Sequence, residues 1–253
     1  MVITARSNER VKLLRRLNND KKAREENSVY VAEGVTLLSS LSNNCSIKCF
    51  FIRASAEEKV KGIVNNFPAA EVCVLSDDVY DSVSDTVSPS GITAVIDRPD
   101  PKPIKGDVVL VLDGVSDAGN VGTVIRTAVA AGISDVVTTH SCADPYSPKA
   151  VRASMGGIFK INVTECDPGA VKELLDGYSF ATLDMGGENI FRFERKRKTA
   201  LVVGNEAHGI SDEMKALSDI TLAIPMVKDG VESLNAAVAV GIAMYLIKKG
   251  DLL

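Results

Sequence analysis

The chain has 253 residues, 45% hydrophobic and 25% charged, with a formal net charge of −4. That is an ordinary globular composition with enough apolar residues for one large core or two smaller ones, and the acidic balance excludes a protein basic all over. No stretch approaches the roughly 20 apolar residues that span a bilayer, and the basic first residues lack the continuous apolar segment of a secretory signal. A cytoplasmic location without membrane attachment is therefore expected. Five cysteines, Cys45, Cys49, Cys73, Cys142 and Cys166, form an odd set with no CxxC pair, and His140 and His208 are the only histidines. Reduced, buried thiols fit better than a disulfide framework or a zinc site, so no metal is expected.

In chain order, residues 1–24 hold eight Lys/Arg against Glu9 and Asp20. The pattern predicts one helix over residues 8–24 with Val11, Leu14 and Leu17 inward. Its charges suit phosphate contacts, and they equally suit a solvated helix face. Helical stretches follow around Gly34–Leu41 and Ala56–Asn65. The β-branched apolar runs 49–54, 71–75 and 91–97 read as strands. Residues 1–98 are therefore expected to form a small α/β domain. In DRPDPKPIK (97–105), Pro99, Pro101 and Pro103 can join neither a helix nor the middle of a sheet. Residues 99–105 are accordingly read as a stiff linker, and 106–253 as a second domain.

The second domain alternates more clearly. Strands are expected at 107–114, 135–139, 180–185, 200–206 and 220–226, and helices at 120–132, 148–156 and 233–249. Continuous Val/Ile/Leu runs suit strands buried on both faces, which implies a parallel sheet covered by helices. Ligands of such folds sit outside the carboxyl ends of the strands. The polar, glycine-bearing segments DGVSDAGN, DMGGEN, GNEAHG and PM…SLN fall at those ends.

Several chemistries leave no trace. There is no GxxxxGK[ST], GxGxxG, GxSxG or HExxH, which argues against a P-loop nucleotide hydrolase, a dinucleotide-dependent redox enzyme, a serine hydrolase and a zinc protease.

Three segments remain. In LDGVSDAGNVGTVIRTAVAAG (112–132), Asn120 is placed to cap a helix. Arg126 interrupts an otherwise apolar run there, either as a functional group, as a snorkelling surface residue, or as a partner for Asp113 or Asp117. In LVVGNEAHGIS (201–211), a buried strand ends in Gly204, Asn205 and Glu206. In AIPMVKDGVESLNAAVAVGIAMY (223–245), Pro225 ends a strand, and Ser233 is expected to cap the last helix with Asn235 in its first turn. Each motif alone also reads as simple capping and turning.

Taken together, N-x-G-x-x-x-R at 120–126, G-N-E-x-x-G at 204–209 and I-P-M…S-L-N at 224–235 resemble the SpoU (TrmH) family of RNA ribose 2′-O-methyltransferases, in the SPOUT class. The resemblance spans about 107–249. It extends more weakly over residues 7–34, which look like the accessory substrate-binding domain of many members. Ala118 stands where a proline is usual, and the stretch between Met226 and Ser233 is about one residue longer than usual.

The resemblance implies a C-terminal α/β domain with a deep trefoil knot and S-adenosyl-L-methionine as cofactor. It implies a cofactor pocket from Met185, Gly186, Gly204, Asn205, Glu206, Ile224, Met226, Ser233 and Leu234. Catalytic roles fall to Arg126, Asn120, Glu206, Ser233 and Asn235. A guanidinium is a poor base, so Arg126 is expected to gather a phosphate and stabilise a developing alkoxide. A homodimer is expected, with structured RNA as substrate, ribosomal RNA before transfer RNA. Phosphate contacts are expected from Arg6, Lys12, Arg15, Arg16 and Arg24. The competing reading is a non-catalytic RNA-binding relative that serves ribosome assembly.

Overall fold

The computed structural model describes every residue except 196, 228, 229, 231, 232 and 253. The residues form two compact units, Met1–Asp100 with Asp144–Phe159, and Pro101–Ala143 with Lys160–Leu253. The expected division assigned all of 106–253 to one domain. The segment Asp144–Phe159 instead packs with the first unit.

The first unit holds β1 (Val2–Ile3), α1 (Glu9–Asn19), α2 (Lys21–Asn27), β2 (Val29–Glu33), α3 (Val35–Leu38), β3 (Ile47–Arg53), α4 (Glu57–Val64), β4 (Glu71–Leu75), α5 (Asp77–Asp81) and β5 (Ile92–Asp97). The single helix expected over 8–24 is two helices. The backbone of Asp20 is extended, its N–H closes α1 on the Arg16 carbonyl, and its carboxylate accepts from Lys22 N to open α2. One short polar residue thus caps both ends, the role such side chains favour over a helix interior. Val11, Leu14 and Leu17 are buried as expected, packed with Phe51, Cys73, Leu75 and Tyr80. Sequence reading missed β2, VYVAE, whose five residues are all buried. The sheet runs β1-β4-β3-β5-β2, with β2 and β3 antiparallel to β5 and the other pairs parallel.

The second unit opens with β6 (Val108–Leu112), α6 (Ala118–Ala130) and β7 (Asp135–Thr139). The chain then gives α7 (Pro148–Ala153) to the first unit, where it packs on β2. Next come β8 (Asn162–Cys166), α8 (Val171–Leu174), β9 (Ser179–Asn189), β10 (Thr199–Val203), α9 (Asp212–Leu217), β11 (Ile220–Ala223) and α10 (Ala236–Leu252). Six parallel strands lie in the order β11-β9-β10-β6-β7-β8. β6 and β10 are buried along their whole length at the centre, the environment that uninterrupted VVLVL and ALVV runs require. Each such side chain taken from water contributes about 1.5–3 kcal/mol. The fold class is the expected one: α/β, with a parallel sheet in the C-terminal unit.

Two features of this sheet position the candidate site. The strand order reverses between β6 and β10, so the loops that leave their carboxyl ends diverge and open a crevice. Beside them, β11 pairs with β9 through a skip, with Thr221 opposite Thr182 but Leu222 opposite Glu188. Residues 183–187 therefore leave the pairing with β11, while Leu183 stays paired with Val203 of β10. Gly187 returns so close to the backbone of Thr221 and Leu222 that a Cβ would lie 2.6 Å from their carbonyl carbons.

Candidate active site

The first wall of the site is the turn between β6 and α6. Asp117 caps α6, its carboxylate accepting from Asn120 N at 2.9 Å. Sequence reading gave that cap to Asn120, and the shift matters. With Asp117 holding the helix start, the Asn120 side chain is free to donate from Nδ2 to Glu206 Oε1 at 2.8 Å. Ser116 donates to the other carboxylate oxygen, Oε2, from its N–H and its hydroxyl, each at 3.1 Å. Asn235 Nδ2 donates in turn to Asn120 Oδ1 at 3.3 Å. Burial pushes the Glu206 carboxyl up, but the donors from Asn120 and Ser116 outweigh it and hold the group below the usual carboxylate range. Glu206 is therefore a fixed anion at neutral pH.

The second wall is the turn after β10. Asn205 Oδ1 accepts from Ala207 N and His208 N, while its Nδ2 donates to the Gly114 carbonyl at 2.7 Å, so one side chain ties both turns together. Asn205 and Gly209 exchange backbone hydrogen bonds at 2.8 and 2.9 Å. Gly204 fits beneath this turn because it lacks a Cβ, which would stand 2.2 Å from the Gly209 carbonyl carbon. The third wall is the start of α10. Here Asn235, not Ser233, is the cap: its Oδ1 accepts from Val238 N at 3.3 Å, and the helix begins at Ala236. Of the stretch between Met226 and Ser233, residues 228, 229, 231 and 232 lie outside the described residues.

These walls enclose a cavity of about 610 Å³. Of the nine cofactor residues expected, eight line it: Met185, Gly204, Asn205, Glu206, Ile224, Met226, Ser233 and Leu234. Gly186 is not among the lining residues. Sequence reading missed Leu183, Asp184, Val203, His208 and Ala239, which line the cavity too. It also missed Ser116, whose only signal was its place in the polar turn after β6.

The five expected catalytic residues are not all brought together. Asn120, Glu206 and Asn235 form one chain of hydrogen bonds, and Ser233 lies on the cavity wall. Arg126 stands apart. At about 3.6 residues per turn it emerges about 120° round α6 from Asn120. It is exposed, does not line the cavity and has no partner among the described residues.

The expected RNA-contact residues divide as well. Arg6 and Arg16 are exposed, and Arg15 is half-buried with a 3.4 Å contact to Ser82 Oγ. Lys12 pairs with Glu9 at 2.7 Å and Arg16 with Glu26 at 3.0 Å, surface pairs weak enough to yield to a phosphate. Arg24 is a correction. Its side chain is 7% exposed and pairs with Asp144 at 2.6 Å, while Nη1 donates to the Leu17 carbonyl at 2.7 Å. Those donors face inward, so Arg24 fastens α2 to the Asp144 segment and is not available to RNA.

Comparison with known proteins identifies the family. The family model of the SpoU rRNA methylases matches residues 107–245. The chain belongs to the SpoU rRNA methylase family. A model of the MRM3-like substrate-binding domain matches residues 8–94, ahead of the methylase region. The 23S rRNA (guanosine(2553)-2'-O)-methyltransferase RlmP of Bacillus subtilis is 31% identical over 251 residues, 97% of this chain and 98% of that protein. The 23S rRNA (uridine(2479)-2'-O)-methyltransferase of Streptomyces viridochromogenes is 33% identical over 172 residues, 62% of this chain and 60% of its own. Among solved structures, an AdoMet-bound rRNA methyltransferase from Sinorhizobium meliloti superposes with a TM-score of 0.88 at 26% identity, covering 100% of this chain and 98% of that one.

Proposed function

We propose that this SpoU-family methyltransferase moves a methyl group from S-adenosylmethionine to a ribose 2′-hydroxyl of ribosomal RNA. The observation that carries the reading is the Glu206–Asn120–Asn235 chain of hydrogen bonds beside a cavity built from strand ends. The residues present fit the cofactor. The Gly204–Gly209 turn offers backbone groups at close range, and Leu183, Ile224, Met226, Leu234 and Ala239 offer an apolar bed for a flat base with few polar anchors. When bound, the cofactor supplies an electrophilic methyl on a sulfonium that already leaves well.

The chain's remaining task is to place one hydroxyl oxygen in line, which is catalysis by position. Glu206, held ionised from both oxygens, fixes Asn120 and the Ser116 turn. Asn120 in turn orients Asn235 and the start of α10. Ser233 stands where a hydroxyl can share a hydrogen bond with the incoming ribose. Arg126 contributes charge to the ribose phosphate and the developing alkoxide.

Because Arg126 lies away from its own cavity, it serves the site of a second copy in a homodimer on this reading. Support comes from the exposed Val238 and Tyr245 of α10, a helix that packs along α6, which carries Arg126. A deep trefoil knot in the C-terminal unit goes with this reading through the family resemblance. Residues 1–98, together with the Asp144 segment, act as the RNA substrate-binding domain. There Arg6, Lys12, Arg15 and Arg16 meet phosphates, shape and backbone being read before bases. Residues 99–105 link this domain to the methyltransferase domain, which takes the rest of 106–253 without the Asp144 segment. No helix among the described residues is long and apolar enough to cross a membrane, in keeping with work in the cytoplasm.

The test is methyl transfer from labelled S-adenosylmethionine to unmodified ribosomal RNA and, separately, transfer RNA. Label on ribosomal RNA at an alkali-resistant linkage, lost in Glu206→Ala, is the expected result. S-adenosylhomocysteine binding without label on either RNA or on ribosomal particles would refute the activity. Light scattering tests the dimer. If Arg126 acts in the other copy's site, mixing inactive Arg126→Ala and Glu206→Ala chains restores part of the activity.

A further inference from the structure

In the first unit, far along the chain from the methylase motifs, two cysteines with no sequence signature meet. Cys49 of β3 and Cys73 of β4 point to the same face of the sheet, and their sulfurs stand 3.4 Å apart. Glu71, two residues before Cys73 and so on the same face, completes a group whose ligand atoms all lie within 4.8 Å of one another. A cation already occupies the middle of that group. Arg10 Nη1 lies 2.8 Å from Cys73 Sγ and 2.8 Å from Glu71 Oε2.

Two chemistries are open to such a pair, and distance separates them. A disulfide needs its sulfurs about 2.05 Å apart and its Cα atoms within about 6.8 Å. Here Cys49 stands opposite Glu71 and Cys73 opposite Phe51 in a parallel pair, so the two cysteines are offset by two residues, and strands about 4.8 Å apart with a rise of about 3.3 Å per residue put their Cα atoms about 8 Å apart. Two thiolates on one tetrahedral zinc, each about 2.3 Å from the metal, stand about 3.8 Å apart. The observed spacing is a few tenths of an ångström from that value and more than an ångström from a disulfide.

We infer that Cys49, Cys73 and Glu71 form a binding site for a thiophilic divalent cation of the zinc class, for which the Arg10 guanidinium is the resident competitor. Binding moves Arg10 into solvent, which its exposed position on α1 permits. Two sulfurs and one carboxylate oxygen supply three ligands, and the exposed side of Glu71 leaves the fourth to water. The thiol protons are released to solvent as the metal binds. The site would join β3 to β4 beneath α1, in the unit assigned to RNA substrate.

The experiment is titration of the full-length reduced protein with Zn²⁺ against a chromophoric chelator, and with Co²⁺ while following thiolate-to-metal charge transfer. One equivalent bound, with that absorption, is expected. Cys49→Ser and the surface change Glu71→Gln should each weaken binding by more than about tenfold, since disturbing even an outer partner of a metal site costs that much. Arg10→Ala should tighten it by removing the competing charge. Glu71 is largely exposed, so its variant tests the site even if a cysteine variant misfolds. Absence of charge transfer, or affinity unchanged in both Cys49→Ser and Glu71→Gln, overturns the site. So does rapid closure of a Cys49–Cys73 disulfide under mild peroxide.

Discussion

Replacing Arg24 by alanine distinguishes most sharply between what the N-terminal charges suggest and what the fold does with one of them. The Arg24–Asp144 pair is 2.6 Å long, with side chains 7% and 9% exposed. Alanine would leave the buried Asp144 carboxylate without its guanidinium, with the Tyr146 N–H still donating to Oδ1, and would free the Leu17 carbonyl of the Arg24 donor. Breaking a buried pair in this way costs about 3–5 kcal/mol. At about 4–8 °C per kcal/mol for a domain near 100 residues, the first unit's transition should fall by 10 °C or more. Scanning calorimetry on the full chain, with the second unit's transition as internal reference, reads it directly. The salt slope of RNA binding, which loses about 0.7–0.9 per phosphate contact removed, should not change below that transition. A double change, Arg24→Met with Asp144→Leu, should recover most of the loss, because removing both charges leaves none unpaired. A melting temperature within a few degrees of wild type, together with a flatter salt slope, would sink the reasoning and return Arg24 to the RNA surface.

Other outcomes follow from the same contacts. Gly204→Ala puts a Cβ 2.2 Å from the Gly209 carbonyl carbon. Overpacking of this kind costs about 1–3 kcal/mol, so S-adenosylhomocysteine affinity should drop about tenfold, and unchanged calorimetric binding would remove Gly204 from the cavity's working parts. Glu206 titrates below its unfolded value, so its contribution is complete above that unfolded value and is lost as pH falls through the folded one. Asn120→Ala removes one of the donors that hold it down. Carbon-detected NMR of Glu206 should then show an upward shift, and the acid limb of methyl transfer should move the same way. A stationary titration would mean that Asn120 does not hold the carboxylate. Arg126→Lys keeps charge but loses the planar fork; on the proposed role kcat falls while S-adenosylhomocysteine binding is unchanged, and full activity would end the case for bidentate phosphate contact.

The sequence alone determined much of the methylase unit. Uninterrupted β-branched runs such as VVLVL and ALVV, too short for helices and bounded by glycine-bearing turns, suit strands buried on both faces, so the parallel sheet was legible from composition and run length. The polar motifs between the runs then had to fall at strand ends. Hence eight of nine expected lining residues converge, although 185, 204, 224 and 234 are far apart in the chain. What failed were decisions between equal local choices. Asp117 and Asn120 can each cap α6, as Ser233 and Asn235 can each cap α10, and only the partner each side chain finds settles which does. Asp20 could continue a helix or break it. VYVAE is short enough to escape a periodicity reading, and it is buried because α7, more than a hundred residues later, packs on it. Arg24 and the Cys49–Cys73 pair make the same point about charge and sulfur. Nothing near Arg24 in sequence announces Asp144, and no CxxC spacing announces two cysteines on neighbouring strands. A side chain's chemistry is set by what long-range packing brings within a few ångströms, and only the tertiary structure decides that.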